Sequence, residues 1–242
     1  MSADALRLGM ILPSSNTVVE PVACEMVAAL APTLPASVHF SRFALTAVQV
    51  ADPAAAYYDS GALLGAARLL ADARCHAICW NGSAGGLVGF ARDRRLCDEI
   101  RAATGSAATT SSLAILDALR AARARTFGLV TLNPPAMNRT ILASFAAEGF
   151  TGIASTDRDD IADNFAMAAV GAAEIAAAVR RCARDRPDAV VIYGTNTRGA
   201  ALAGPLSREL GLPVLDSVAM GVIGAVRVAG RDAAALARWL PP

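Results

Sequence analysis

The chain has 242 residues, 55% of them hydrophobic and 18% charged, with 22 lysines and arginines against 21 acidic residues and a formal net charge of +1. This composition excludes disorder and supplies enough apolar surface for one large core or two small ones. With no basic run in so even a balance, nucleic acid and anionic membrane surfaces are excluded as expected partners.

Taken in chain order, apolar strand signals fall at 6–12, 38–45, 76–80 and 107–109, then at 127–132, 150–155, 189–193 and 214–215. Alanine-rich stretches of helical period lie between them at 18–30, 54–73, 87–103, 113–124, 137–148, 172–184, 198–210 and 218–228. Unbroken alternation of strand and helix predicts an α/β fold of parallel sheets buried on both faces, four strands to each half. Gly149 and Gly211 stand where helices should stop, and Ser14 or Ser15, Ser111 or Ser112, and Ser217 stand where N-caps belong.

The halves repeat one another. AVVIYGTNTRG at 189–199 answers AICWNGSAGG at 77–86, FGLVTLNPP at 127–135 answers LGMILPSSN at 8–16, and LGLPVLDS at 210–217 answers TGSAATTS at 104–111. The three pairs keep the same order at separations of roughly 105 to 120 residues, longer than a solenoid period, which predicts a duplicated half-domain. The expected division is 1–110 and 111–217, with 218–242 packed back on the first half.

Five cysteines without framework spacing fit a reducing compartment. The first residues do not form a secretory signal, and the uncharged run 26–41 is broken by Pro32 and Pro35 and is too short for a membrane span. A soluble cytoplasmic protein is expected.

Parallel sheets bind ligands outside the carboxyl ends of their strands, where the polar turns of this chain fall. Facing halves would bring Ser14, Ser15, Asn16, Thr17, Asn81, Gly82, Ser83, Thr109, Thr110, Ser111, Ser112, Asn133, Thr195, Asn196, Thr197 and Ser217 to one cleft. Hydroxyls, amides and helix N-termini suit a carboxylate, although each such residue is equally suited to capping a helix.

These segments resemble the maleate isomerase and arylmalonate decarboxylase branch of the aspartate/glutamate racemase superfamily. The likeness rests on PSSNTVVE at 13–20, WNGSAG at 80–85, TSSLAILDALRA at 110–121, GTNTRG at 194–199 and LPVLDSV at 212–218. The resemblance implies two pseudo-symmetric α/β halves around a cofactor-free, metal-free site for a small carboxylate or dicarboxylate, in a homo-oligomer. It implies substrate binding by Ser14, Ser15, Asn16, Ser83, Asn133, Asn138, Thr195 and Asn196, with a supporting place for Arg198 and Glu20.

The catalytic cysteines of that family would fall on Asn81 and Gly194, and a tyrosine on Asn133. An amide cannot take a proton from carbon at neutral pH, and glycine offers no side chain at all. Cys24, Cys75, Cys79, Cys97 and Cys182 sit in helices or in a strand and read as core.

The implied function is a cofactor-independent isomerase or lyase working through a stabilised carbanion or enediolate. An amino-acid or hydantoin racemase and a non-catalytic carboxylate-binding relative are the alternatives. On the same register Gly194→Cys is expected to introduce racemase or isomerase activity. A serine hydrolase around Ser83 is disfavoured because His39 and His76 both precede it. A metal site at Cys75, His76 and Cys79 is disfavoured because adjacent strand residues face opposite ways. No GxGxxG opens the first helix, which excludes dinucleotide binding of that kind.

Overall fold

The structure, a computed structural model, describes residues 5–45, 59–161 and 163–240. The first half runs β1 Leu6–Pro13, α1 Val19–Leu30, β2 Ala36–Phe43, α2 Ser60–Asp72, β3 Ala77–Trp80, α3 Gly85–Val88, α4 Phe90–Thr104 and β4 Ala107–Thr110. After α5 Ser111–Ala121 come β5 Thr126–Val130, α6 Pro135–Ala147, β6 Thr151–Thr156, α7 Asn164–Ala169, α8 Ala172–Ala183, β7 Ala189–Ile192, α9 Ala200–Leu210 and β8 Val214–Asp216. Helix α10 Ser217–Val228 and a 3-10 segment Ala234–Trp239 finish the described chain.

The strands form two four-stranded parallel sheets, ordered β2-β1-β3-β4 and β6-β5-β7-β8, so each half repeats the other's winding. This is the α/β fold of paired four-stranded sheets that the alternation predicts.

Strand alternation divides the core. Leu8, Met10, Ala77 and Cys79 of the first sheet, with Phe127, Leu129, Ala189 and Val191 of the second, join one apolar cluster with side chains of α1, α5, α6 and α10. Their strand neighbours Ile11, Ile78 and Trp80 face the opposite way, under α2 and α4, while Val130, Val190 and Ile192 lie under α8 and α9. The cluster between the sheets is thus common to both halves. At its centre Phe145 meets Phe90, Phe127 and Tyr193 at ring-centroid distances of 5.0, 4.8 and 5.4 Å.

Several expected element ends move for local reasons. The helix expected at 87–103 divides at Gly89, whose φ of +91° ends α3 and starts α4 in a new direction. The helix expected from 198 begins at Ala200, after Gly199. The strand expected at 38–45 is Ala36–Phe43, and the part of the 54–73 helix before 59 lies outside the described residues.

Capping also differs. Thr110 rather than Ser111 or Ser112 accepts from Leu113 N–H (3.1 Å), and Asp216 rather than Ser217 accepts from Ala219 N–H (2.9 Å). Each strand here runs directly into its helix, so its last residue is the cap. At α1, Asn16 rather than Ser14 or Ser15 accepts, from Val18 and Val19 N–H (both 2.9 Å). Helix α7 and the 3-10 segment have no counterpart among the sequence signals.

The 3-10 segment closes the molecule against α9 and α1. Arg238 pairs with Glu25, Trp239 is buried, and the Arg238 carbonyl lies so near Gly204 that a Cβ there would stand 1.8 Å from its oxygen. Gly204→Ala is expected to lower stability by about 1 to 3 kcal/mol in urea denaturation, through overpacking. Gly65→Ala, whose added methyl meets nothing within 4 Å, is expected to be neutral or stabilising.

Candidate active site

Both sheets end their strands toward one cavity. Its wall is built from the turn after β1 (Pro13, Asn16), the turn after β3 (Gly82, Ser83, Ala84), the turn after β5 (Leu132, Asn133) and the turn after β7 (Gly194, Thr195, Asn196, Thr197). Leu45, Trp80, Leu87, Met137, Ile141, Asn164, Met167 and Tyr193 complete it. Among the described residues, none in the wall is a lysine, arginine, histidine, carboxylate or cysteine.

Two of the expected ligand-binding side chains already have work. Asn16 Nδ2 donates to the Thr195 carbonyl (3.0 Å) while its Oδ1 caps α1, and Asn196 Oδ1 accepts from Thr17 N–H (3.0 Å) while its Nδ2 donates to the Asn164 carbonyl. These bonds clasp the first half to the second across the mouth of the cavity. Behind it, Tyr193 Oη accepts from Gly86 N–H (2.8 Å) and shares a hydrogen bond with Ser112 Oγ (2.8 Å). Burial pushes the Tyr193 phenol well above its ordinary pKa, so it stays protonated.

The uncommitted groups are the hydroxyls of Ser83, Thr195 and Thr197 and the carboxamide of Asn133, none of which has a hydrogen-bond partner among the described residues. They come from both halves and can all donate to an anionic oxygen.

The structure places other named residues elsewhere. Ser14 and Ser15 stand behind the wall rather than in it: both hydroxyls donate to the Leu45 carbonyl (3.4 and 2.8 Å), and Ser15 Oγ accepts from Asn164 Nδ2 (2.5 Å). Asn81 is fully buried, accepting from Ser111 Oγ (3.0 Å) and packed where α10 passes at Gly221. Asn138 braces the ends of β5 and β6, bonded to Thr131 Oγ1 (2.7 Å), the Thr156 carbonyl (3.0 Å) and Asp157. Ser217 ties β7 to β8, accepting from Gly194 N–H and donating to the Ile192 carbonyl, both at 3.1 Å. Arg198 is exposed and donates to the Ala168 carbonyl (2.7 Å), and Glu20 pairs with Arg42 (2.9 Å).

Trp80, Tyr193 and Asn164 escaped the sequence reading. The first two end apolar strands and read as core, although each sits one or two residues before a polar turn. Asn164 follows Asp163, the N-cap of α7, and that cap was the available signal.

No thiol reaches the cavity. Desolvation pushes Cys75 and Cys182 to about 11 and Cys97 to about 12, and raises Cys79 as well. His39 pairs with Ser37, and His76 accepts from Arg7 N–H. Among the described residues no group of three His, Cys, Asp or Glu side chains is placed to hold a metal ion, and no helix is long and apolar enough to cross a membrane.

Two like-wound parallel sheets whose strand ends enclose one cavity lined by neutral donors define a two-lobed α/β protein with its candidate site between the lobes. The chain belongs to the arylmalonate decarboxylase family, whose model matches residues 8–239. It is 29% identical over 230 residues to the maleate isomerase of Nocardia farcinica, covering 91% of this chain and 89% of that one. Among solved structures it resembles Nocardia farcinica maleate cis-trans isomerase bound to TRIS, with TM-score 0.82, 26% identity and 93% of each chain covered. It also resembles arylmalonate decarboxylase, with TM-score 0.74, 26% identity and 93% of this chain and 92% of that one covered.

Asp216 ends β8, paired with Ile192 of β7 just before the turn that lines the cavity. It is fully buried, one oxygen caps α10, the other has no hydrogen-bond partner among the described residues, and desolvation pushes it up to about 7 despite the helix N-terminus. Folding therefore favours the neutral acid, a contribution present in full below about pH 4 and lost as pH rises to about 7, worth roughly 4 kcal/mol at most. Urea denaturation across that window is expected to show falling stability in the native protein and a flatter profile in Asp216→Asn.

The geometry at Gly194 works against placing a thiol there. Its φ is +150°, a region L-residues rarely adopt, and a Cβ there would stand 3.1 Å from Thr197 Oγ1. Gly194→Cys is expected to cost about 1 to 3 kcal/mol in thermal or chemical denaturation.

Proposed function

We propose that this chain is a cofactor-independent decarboxylase of a small substituted malonate, acting through an enediolate held by neutral donors. The observation that carries the reading is the set of uncommitted donors facing one cavity from both halves, with no titratable base among the described residues of its wall.

The reactions open to the family differ in what they demand of the protein. Racemisation needs a base and an acid on opposite faces of a planar intermediate, and thiol-based cis-trans isomerisation needs a nucleophile. Decarboxylation needs neither to begin. The bond from the α-carbon to one carboxylate breaks, carbon dioxide leaves, the electron pair remains as an enediolate, and water supplies the proton to carbon.

Ser83, Thr195, Thr197 and Asn133 would stabilise the charge as it moves onto the retained carboxylate. The apolar wall of Leu45, Leu87, Leu132, Met137, Ile141 and Met167 favours a departing group that is neutral as carbon dioxide and charged as carboxylate. Amide and hydroxyl donors are ionised at neither end of the ordinary pH range, so the activity should lack a protein-derived base limb. A second reading, carboxylate binding without turnover, is favoured by the same missing thiols at positions 81 and 194.

With 2-methyl-2-phenylmalonate the expected result is carbon dioxide release and racemic 2-phenylpropionate, measured by headspace analysis and chiral chromatography. A strongly enriched enantiomer would show that the protein holds a one-sided proton donor. Calorimetric binding without carbon dioxide release would establish the binding relative instead, and isomerisation of maleate would overturn the thiol-free reading.

A further inference from the structure

We propose that Trp80 contacts the ligand directly, its indole N–H donating to an oxygen of the bound carboxylate. The proposal rests on the cavity being the carboxylate site. Trp80 ends β3, is 0% exposed, and packs edge-on to Phe43 at 5.2 Å between ring centroids. Its Nε1 is buried and makes no hydrogen bond among the described residues.

An indole nitrogen can only donate, and a buried donor left unpaired is uncommon enough in folded proteins to need a cause. Packing alone does not give one, because phenylalanine would fill much of the same apolar space without stranding a donor.

The position of the donor supplies the cause. A Cβ on Gly82 would stand 2.3 Å from Cζ2 and 2.4 Å from Cε2 of the indole. Nε1 is bonded to Cε2, so the N–H leaves the ring next to the edge that the Gly82 turn covers. That turn, with Trp80 itself, Ser83 and Ala84, forms one wall of the cavity. The Ser83 hydroxyl, also without a partner among the described residues, belongs to the same turn. Indole and hydroxyl together offer two donors to a group that brings only acceptors. Gly82 keeps the approach open, since any larger residue there would collide with the ring.

The chain has two tryptophans, which makes the test direct. In ¹H–¹⁵N spectra of the full chain, two indole cross-peaks are expected, and Trp239→Phe assigns them. Methylmalonate, which carries no ring current, is titrated in with binding followed in parallel by calorimetry. The expected result is a downfield move and slower exchange of the Trp80 indole proton at saturation, with Trp239 unmoved. Trp80→Phe is expected to weaken methylmalonate binding about tenfold, the loss of one charge-assisted hydrogen bond.

If methylmalonate binds and the Trp80 resonance stays in place, the indole contact is overturned and the carboxylate site stands. If neither methylmalonate nor phenylmalonate binds, the site reading falls and the contact with it. Should Trp80→Phe fail to fold, the spectrum of the unaltered chain decides alone.

Discussion

A shared apolar core between two parallel sheets is the constraint on which the rest of this molecule depends. Phe90 and Phe145, from helices of different halves, meet at 5.0 Å, and Phe145 also touches Phe127 and Tyr193 from the second sheet. Burying side chains of that size contributes roughly 1.5 to 3 kcal/mol each, more than the clasp bonds Asn16–Thr195 and Thr17–Asn196 at about 0.5 to 1.5 kcal/mol each. The core therefore holds the halves together, and the clasp sets how their strand ends meet. The cavity is a notch at the rim of a continuous interior, not a gap between independently moving domains.

That arrangement governs the electrostatics. With no cation among the described residues of the wall, an anion there is held by oriented dipoles at short range. Such donors do not change charge with pH and need no counter-ion to be displaced. Their disadvantage is range, since they draw in a carboxylate only once it has entered.

Much of the architecture was legible in the sequence, because buried parallel strands write themselves as apolar runs. Ala189–Ile192 and Ala77–Trp80 are legible for that reason, as are the stops at Gly149 and Gly211. The roles of the amides were not. Asn16, Asn81 and Asn138 each stand at a polar turn or beside one, and a carboxamide serves equally as cap, brace or ligand donor. Only tertiary partners separate these roles: α1 and Thr195 for Asn16, Ser111 for Asn81, Thr131 and Asp157 for Asn138. Trp80 and Tyr193 were hidden for the converse reason, since a large ring at a strand end reads as core even where one edge walls a cavity.

Positions 81 and 194, where the resemblance would put thiols, offer no titratable group, each in its own way. At 81 an amide is buried against Ser111 and the passing α10, outside the lining of the cavity. At 194 the side chain is absent and the backbone occupies a conformation suited to glycine, with its N–H held by Ser217. Around both, Ser83, Thr195, Thr197 and Asn133 remain free to donate. In the proposed decarboxylation, a wall with no ionisable base among its described residues and with donors from both halves leaves the carbon–carbon bond to release its electrons unaided while the protein receives the charge.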